Sequence, residues 1–110
     1  MSERLEISIL EQSDGTWRLR VTADGRTLAT GAEVASRDLA ERQAAALREH
    51  AGHDGSFVRA ESPDGRFFFN LLGDNRHVLA TSERFASAAE RDAAIADLER
   101  LAATAPVAAG

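Results

Sequence analysis

Apolar and polar residues alternate at the start of the chain, where Leu5, Ile7 and Ile9 are separated by Glu6 and Ser8. This is the period-two pattern of a strand with one buried face, and it predicts a strand over Leu5–Gln12. Ser13-Asp14-Gly15 supplies turn chemistry, and Trp17, Leu19 and Val21 then alternate with Arg18 and Arg20 in a second strand. Asp24-Gly25 makes the next turn, and Arg26–Thr30 forms a short third strand. The period then lengthens. Ser36 is placed as an N-cap with Asp38 in the first turn, and Leu39, Ala40, Ala44, Leu47 and Ala51 recur at helical spacing. Gly52 is expected to close this helix in the left-handed conformation.

The same plan follows a second time. Phe57–Ser62, Arg66–Leu72 and His77–Thr81 read as strands, with turns at Pro63-Asp64-Gly65 and Gly73-Asp74-Asn75. Ser87-Ala88-Ala89-Glu90 reads as a capping box, Ala94, Ile95, Leu98, Leu101 and Ala102 form the apolar stripe behind it, and Pro106 ends the helix. Laid together, the halves pair Trp17 with Phe67, Leu19 with Phe69 and Val21 with Leu71. One residue inserted near the second turn then pairs Leu28-Ala29-Thr30 with Leu79-Ala80-Thr81, Ser36 with Ser87 and Leu47 with Leu98.

The fold class expected is α+β: two tandem βββα repeats, about 4–52 and about 56–104, forming one antiparallel sheet with both helices packed on one face. The halves are expected to be related by a pseudo-twofold axis within a single domain, 1–110, because one unit alone leaves its apolar face half covered. Met1–Glu3 and the tail 105–110 are expected to be flexible. The pattern leaves open whether residues after Ala105 add a strand.

The second unit carries a specific resemblance. Asp-Gly-Arg-Phe-Phe-Phe-Asn-Leu, Ser82-Glu83-Arg84-Phe85 and Ala94-Ile95-Ala96-Asp97-Leu98 resemble the aromatic strand, the Ser-Glu-x-Tyr element and the helix pattern of the YegP-like family, a domain of unknown function. The likeness spans nearly all of Phe57–Ala102. The first unit departs from it, with Gly31-Ala32-Glu33-Val34 where Ser-Glu-x-Tyr is expected and Ala44 where an isoleucine belongs. The resemblance implies a tandem β3α repeat in a pseudo-twofold sheet, and it implies no catalytic residue.

Composition narrows the chemistry. The chain has no cysteine, which removes disulfides, thiolate metal sites and a cysteine nucleophile and suits a reducing compartment. The N-terminus has no apolar run of signal-peptide length, and no stretch approaches the roughly 20 apolar residues of a membrane span, so the expectation is a cytoplasmic protein without membrane contact. A net charge of −5 argues against nucleic acid as the main partner. All 13 basic residues are arginine, a bias that a GC-rich genome explains without any binding role.

Candidate chemistry is sparse. His50-x-x-His53-Asp54 is the one local cluster with metal-ligand character, but it straddles a predicted helix end and lacks a third ligand nearby, so no metal is assigned. Asp14, Asp24, Asp64 and Asp74 recur at equivalent turns, which turn geometry already explains. No phosphate loop or nucleophile elbow is present, no cofactor is expected, and enzyme activity is not indicated.

The outer face of the sheet is the strongest candidate. If Phe67, Phe69 and Leu71 point toward the helices, Phe68, Asn70 and Leu72 point away, with Arg18, Arg20 and Thr22 equivalent in the first unit. An open mixture of apolar and cationic side chains there suits a homodimer contact or a protein partner. The functional reading is therefore a non-enzymatic module that binds or self-associates through Arg18, Arg20, Phe68, Asn70 and Leu72. The alternative is a small anionic ligand, or a minor activity, at the seam between the repeats, with arginines such as Arg20 or Arg76.

Overall fold

The tight turns set the course of the chain. Gly15 and Gly65 both take positive φ, 85° and 82°, which glycine adopts without a Cβ penalty. Asp14 and Asp64 fasten the same turns: Asp14 accepts from the Thr16 N–H and hydroxyl, and Asp64 accepts from the Ser62 hydroxyl. In the computed structural model, which describes residues 4–109, strands β1 (Leu5–Glu11), β2 (Trp17–Ala23) and β3 (Arg26–Gly31) precede helix α1 (Arg37–His50). Strands β4 (Phe57–Glu61), β5 (Phe67–Leu72) and β6 (Val78–Ser82) then precede helix α2 (Ala88–Leu101), and a short strand β7 (Val107–Ala109) follows.

The seven strands form one sheet in the order β4-β5-β6-β3-β2-β1-β7. The six longer strands pair antiparallel throughout, and the halves of the chain meet where Ala29, Thr30 and Gly31 of β3 lie opposite Ser82, Thr81 and Ala80 of β6. Ile7, Leu19, Val21, Phe69 and Leu71 project from one face into a cluster that also contains Ala40, Ala44 and Leu47 of α1 and Ala94, Ile95 and Leu98 of α2. Both helices therefore cover the same face. The alanines on α1 let it lie close to the sheet, and apolar area comes mainly from Leu47 and the strand residues.

The helix ends differ in detail from expectation. Ser36 Oγ accepts from the Leu39 N–H at 3.2 Å and Ser87 Oγ from the Glu90 N–H at 3.1 Å, as N-cap residues should. Glu90, however, reaches past Ser87 and accepts from the Ala86 N–H at 3.2 Å. At the other end, α1 closes on right-handed Ala51, whose N–H bonds the Leu47 carbonyl, and Gly52 is not in the left-handed region. The turn continues instead through an N–H bond from His53 to the His50 carbonyl.

The tail departs further. Residues 107–109, expected to be flexible, pair with β1 in parallel, and the Ile7 N–H donates to the Pro106 carbonyl at 2.9 Å. The edge of β1 offers unpaired backbone groups, and Pro106 starts the segment extended, so strand pairing satisfies groups that water would otherwise hold. The expectations for Met1–Glu3 and Gly110 lie outside the described residues.

Both hairpins that lead to the middle of the sheet carry a bulge. Between Val21 and Thr22 the partners jump from Ala29 to Thr27, leaving Leu28 as the extra residue, and between Leu71 and Leu72 they jump from Ala80 to Val78, leaving Leu79 extra. Isolated bridges Trp17–Val34 and Phe67–Phe85 tie the start of β2 and of β5 to the chain beyond β3 and β6.

Candidate interaction face

Residues paired across neighbouring strands share a face, so the register identifies the side away from the helices. Val58, Asn70, Thr81, Thr30, Arg20 and Ser8 form one continuous row across β4, β5, β6, β3, β2 and β1. Thr81 donates to Asn70 Oδ1 at 2.7 Å within this row. Alternation puts Phe68 and Leu72 beside Asn70, and Arg18 and Thr22 beside Arg20, on the same side. The five residues singled out from the sequence thus share the outer face.

Their exposure is not uniform. Arg20 is exposed, and Arg18, Phe68 and Asn70 are half-buried. Leu72 is only 8% exposed, contrary to the expectation that it would be open. It stands at the bulge, where the twist steepens, and lies across from Val78. The open apolar surface comes instead from Val78 and Val58, 39% and 37% exposed. Val58 stands at an outward position that the alternation used for Phe68 could have found, whereas Val78 faces outward only because the bulge at Leu79 breaks the alternation of β6.

The first and second halves present different chemistry on this face. The strands β4–β6 contribute Val58, Ala60, Phe68, Leu72 and Val78 around the Asn70–Thr81 pair. The strands β1–β3 contribute Glu6, Ser8, Arg18, Arg20, Thr22 and Thr30, with half-buried Leu10 opposite Arg18 as their apolar residue. Arg18 Nη2 contacts Glu33 Oε1 at 3.3 Å across a partly exposed pair, and its buried Nε has no hydrogen-bond partner.

A shallow cleft of about 320 Å³ lies at the seam between β3 and β6, lined by Arg18, Thr30, Ala32, Val78, Thr81 and Glu83 among others. The arginine that lines it is Arg18. Neither Arg20 nor Arg76 does so: Arg20 pairs with the cleft residue Thr30 without lining the cleft, and Arg76 belongs to the turn before β6. Thr30, Thr81 and Glu83 were not singled out from the sequence, since only the β3–β6 pairing brings them together.

The other candidates resolve into structure. His50 Nε2 lies 3.5 Å from Asp74 Oδ1, and among the described residues no group of three His, Asp or Glu side chains could hold a metal ion. The Thr16 hydroxyl and N–H hold the Asp14 carboxyl below the usual carboxylate range, and the Ser62 hydroxyl does the same to Asp64. Such groups stay ionised, which fits turn anchors and not general acids. On the helix side, Arg59 bridges Asp54 and Asp92, each at 3.1 Å. Asp92 is lowered by Arg91 first and by Arg59 second, and Arg91 also lies over the Phe67 ring at 5.5 Å.

Residues 62–108 match the family model of the domain of unknown function DUF1508. The UPF0339 protein YegP of Escherichia coli K12 is 27% identical over 90 residues, covering 81% of this chain and 82% of YegP. A UPF0339 protein of Acinetobacter baylyi is 29% identical over 108 residues, covering 97% of this chain and 96% of its own length. The solution NMR structure of Escherichia coli YegP, a protein of unknown function, superposes with a TM-score of 0.86 at 25% identity, covering 100% of this chain and 94% of that one. The solution NMR structure of a UPF0339 protein from Shewanella oneidensis gives a TM-score of 0.88 at 15% identity, covering 96% and 92%, and shows likeness of fold alone. In sequence over most of its length and in fold over all of it, this chain is similar to the YegP-like UPF0339 proteins.

Proposed function

We propose that this chain is a small non-catalytic module that acts by association through the outer face of its sheet, with a second copy of the chain as the occupant. The observation that carries the reading is Phe68, half-buried on an uncovered face that also exposes Val58 and Val78 and bears Arg18 and Arg20 on the far side of the seam. Aromatic and arginine side chains on one open surface are the residue types that interfaces favour. The area supports a second copy. The six longer strands, about 4.8 Å apart and about 20 Å long, present about 600 Å², so two stacked faces would bury about 1,200 Å², the lower end of specific interfaces.

The face is best understood through a tandem repeat with a pseudo-twofold relation between its halves. The matching bulges at Val21/Thr22 and Leu71/Leu72 and the matching bridges Trp17–Val34 and Phe67–Phe85 support that relation. A Cα radius of gyration of 13.1 Å supports a single domain at this length. Inward positions stay apolar in both halves, whereas position 68 is phenylalanine where its counterpart, position 18, is arginine. A cysteine-free chain with no described helix long and apolar enough to cross a membrane fits a cytoplasmic setting.

Amide NMR spectra recorded at increasing protein concentration test the reading. Self-association through this face moves the signals of Val58, Phe68, Asn70, Val78, Arg18 and Arg20. Shifts confined to the exposed sides of α1 and α2 would replace this face with another, and spectra that change only when a cytoplasmic extract is added would replace the second copy with a different protein.

A second reading is a small ligand in the seam cleft. The observation favouring it is Arg18, whose buried Nε lacks a partner at the edge of a cleft that also contains Thr30, Thr81 and Glu83. A metabolite thermal-shift screen that stabilises the protein with no compound would count against it.

A further inference from the structure

The seam cleft sorts its polar groups by sign. The first half of the chain contributes donors, the Arg18 guanidinium and the Thr30 hydroxyl. The second half contributes acceptors. Thr81 commits its hydroxyl proton to Asn70 Oδ1 at 2.7 Å and keeps its lone pairs, and the carboxylate of exposed Glu83 has no partner among the described residues, its backbone groups being bonded to Leu28 and Ser82. Ala32 and the exposed Val78 add an apolar wall.

Arg18 is weakly held in its present pose. Its ion pair with Glu33 spans 3.3 Å between side chains that are 37% and 47% exposed, and such pairs contribute little. Its Nε–H is buried and unpaired, which is costly for a donor. A carboxylate arriving in the cleft gives the guanidinium a planar partner with two oxygens and relieves both conditions after a small side-chain rotation. Glu83 on the same cleft repels a doubly charged anion such as phosphate, and it supplies a counter-charge for a cation.

We propose that the cleft binds a small zwitterion whose carboxylate and ammonium are on the same carbon, an α-amino acid with an apolar side chain. This deepens the seam reading above and rests on it. The carboxylate lies toward Arg18 and Thr30, the ammonium toward Thr81 and Glu83, and the side chain against Val78 and Ala32. The volume of about 320 Å³ accommodates a leucine-sized molecule in a shallow, water-open site, so the expected dissociation constant is on the order of 1 mM.

Amide NMR titration of the full chain with L-leucine, isocaproate and isoamylamine separates the contributions, because the last two lack the ammonium and the carboxylate respectively. L-leucine is expected to give saturable shifts at Arg18, Thr30, Ala32, Val78, Thr81 and Glu83, with each single-charge analogue about tenfold weaker. Arg18→Gln and Glu83→Gln should each abolish the preference for leucine, and their spectra report directly that the fold is retained. Binding of isocaproate equal to that of leucine would overturn the zwitterion and leave a carboxylate site at the seam. Absence of saturable shifts with all three probes would overturn both the zwitterion and the seam reading.

Discussion

Gly31 lies directly against Leu19: a Cβ built at position 31 would stand 2.7 Å from Leu19 Cγ, a separation that real side chains do not tolerate. The glycine lets β3 approach β2 where Leu19 is fully buried in the core. Gly31→Ala should cost about 1–3 kcal/mol through overpacking. The same change made in a Leu19→Ala background should cost much less, because the methyl then occupies vacated space. Urea unfolding of the four proteins measures the coupling, and equal costs in both backgrounds would separate Gly31 from Leu19.

Arg76 pays a backbone cost. Asn75 and Arg76 both sit in the left-handed region, at φ 56° and 57°, where the shorter turn before β3 uses Asp24 and Gly25 at 51° and 84°. Arg76→Gly should therefore stabilise the fold by about 0.5 kcal/mol, the strain relieved less the extra entropy of glycine in the unfolded chain. Arg76→Val, branched at Cβ, should destabilise it. Thermal unfolding of the pair provides the check, and a lower midpoint for the glycine variant would contradict the assignment of strain.

The turn carboxylates give the protein an acid limb. Asp14 and Asp64 titrate below their reference value of 3.8 because hydrogen bonds from Thr16 and Ser62 favour the charged forms. A folded pKa below the unfolded one lends stability that is complete above the unfolded value and drains away as pH falls through the folded one. Stability should thus decline below about pH 4, and Asp14→Asn with Asp64→Asn should flatten that decline by removing the same increment near neutrality, so that the two proteins converge in acid. Urea midpoints recorded down the acid range decide the point, and a wild-type limb no steeper than that of the double variant would refute it.

Much of this fold is legible in the alternation of Leu5-Ile7-Ile9 and Trp17-Leu19-Val21, because a half-buried strand must repeat every two residues. The caps at Ser36 and Ser87 are legible for a similar reason, since few side chains can satisfy a helix start. Leu72 was not, because its burial depends on an extra residue, Leu79, in the partner strand. Thr30, Thr81 and Glu83 were not, because only the pairing of β3 with β6 makes them neighbours. Strand β7 was not, because Val107-Ala-Ala carries no periodic signal and its reason for pairing is the free edge of β1.

That pairing is itself open to test. Removing the residues after Ala105 deprives the Ile7 N–H of its bond to the Pro106 carbonyl and uncovers the β1 edge. The expected loss is about 1–2 kcal/mol, the scale of one or two net hydrogen bonds. Hydrogen exchange at the Ile7 and Ile9 amides should quicken ahead of the core. Unchanged protection at both positions would remove β7 from the account.

The central claim is that the outer sheet face, and not the helical side, is the surface through which this protein associates. Its most direct test is solution mass by light scattering across a concentration series, for the wild type, Phe68→Glu on the outer face and Leu39→Glu on the helical side, where Leu39 is 41% exposed. The account predicts a mass that rises with concentration for the wild type and Leu39→Glu and stays monomeric for Phe68→Glu. A mass unchanged by Phe68→Glu but reduced by Leu39→Glu would contradict it.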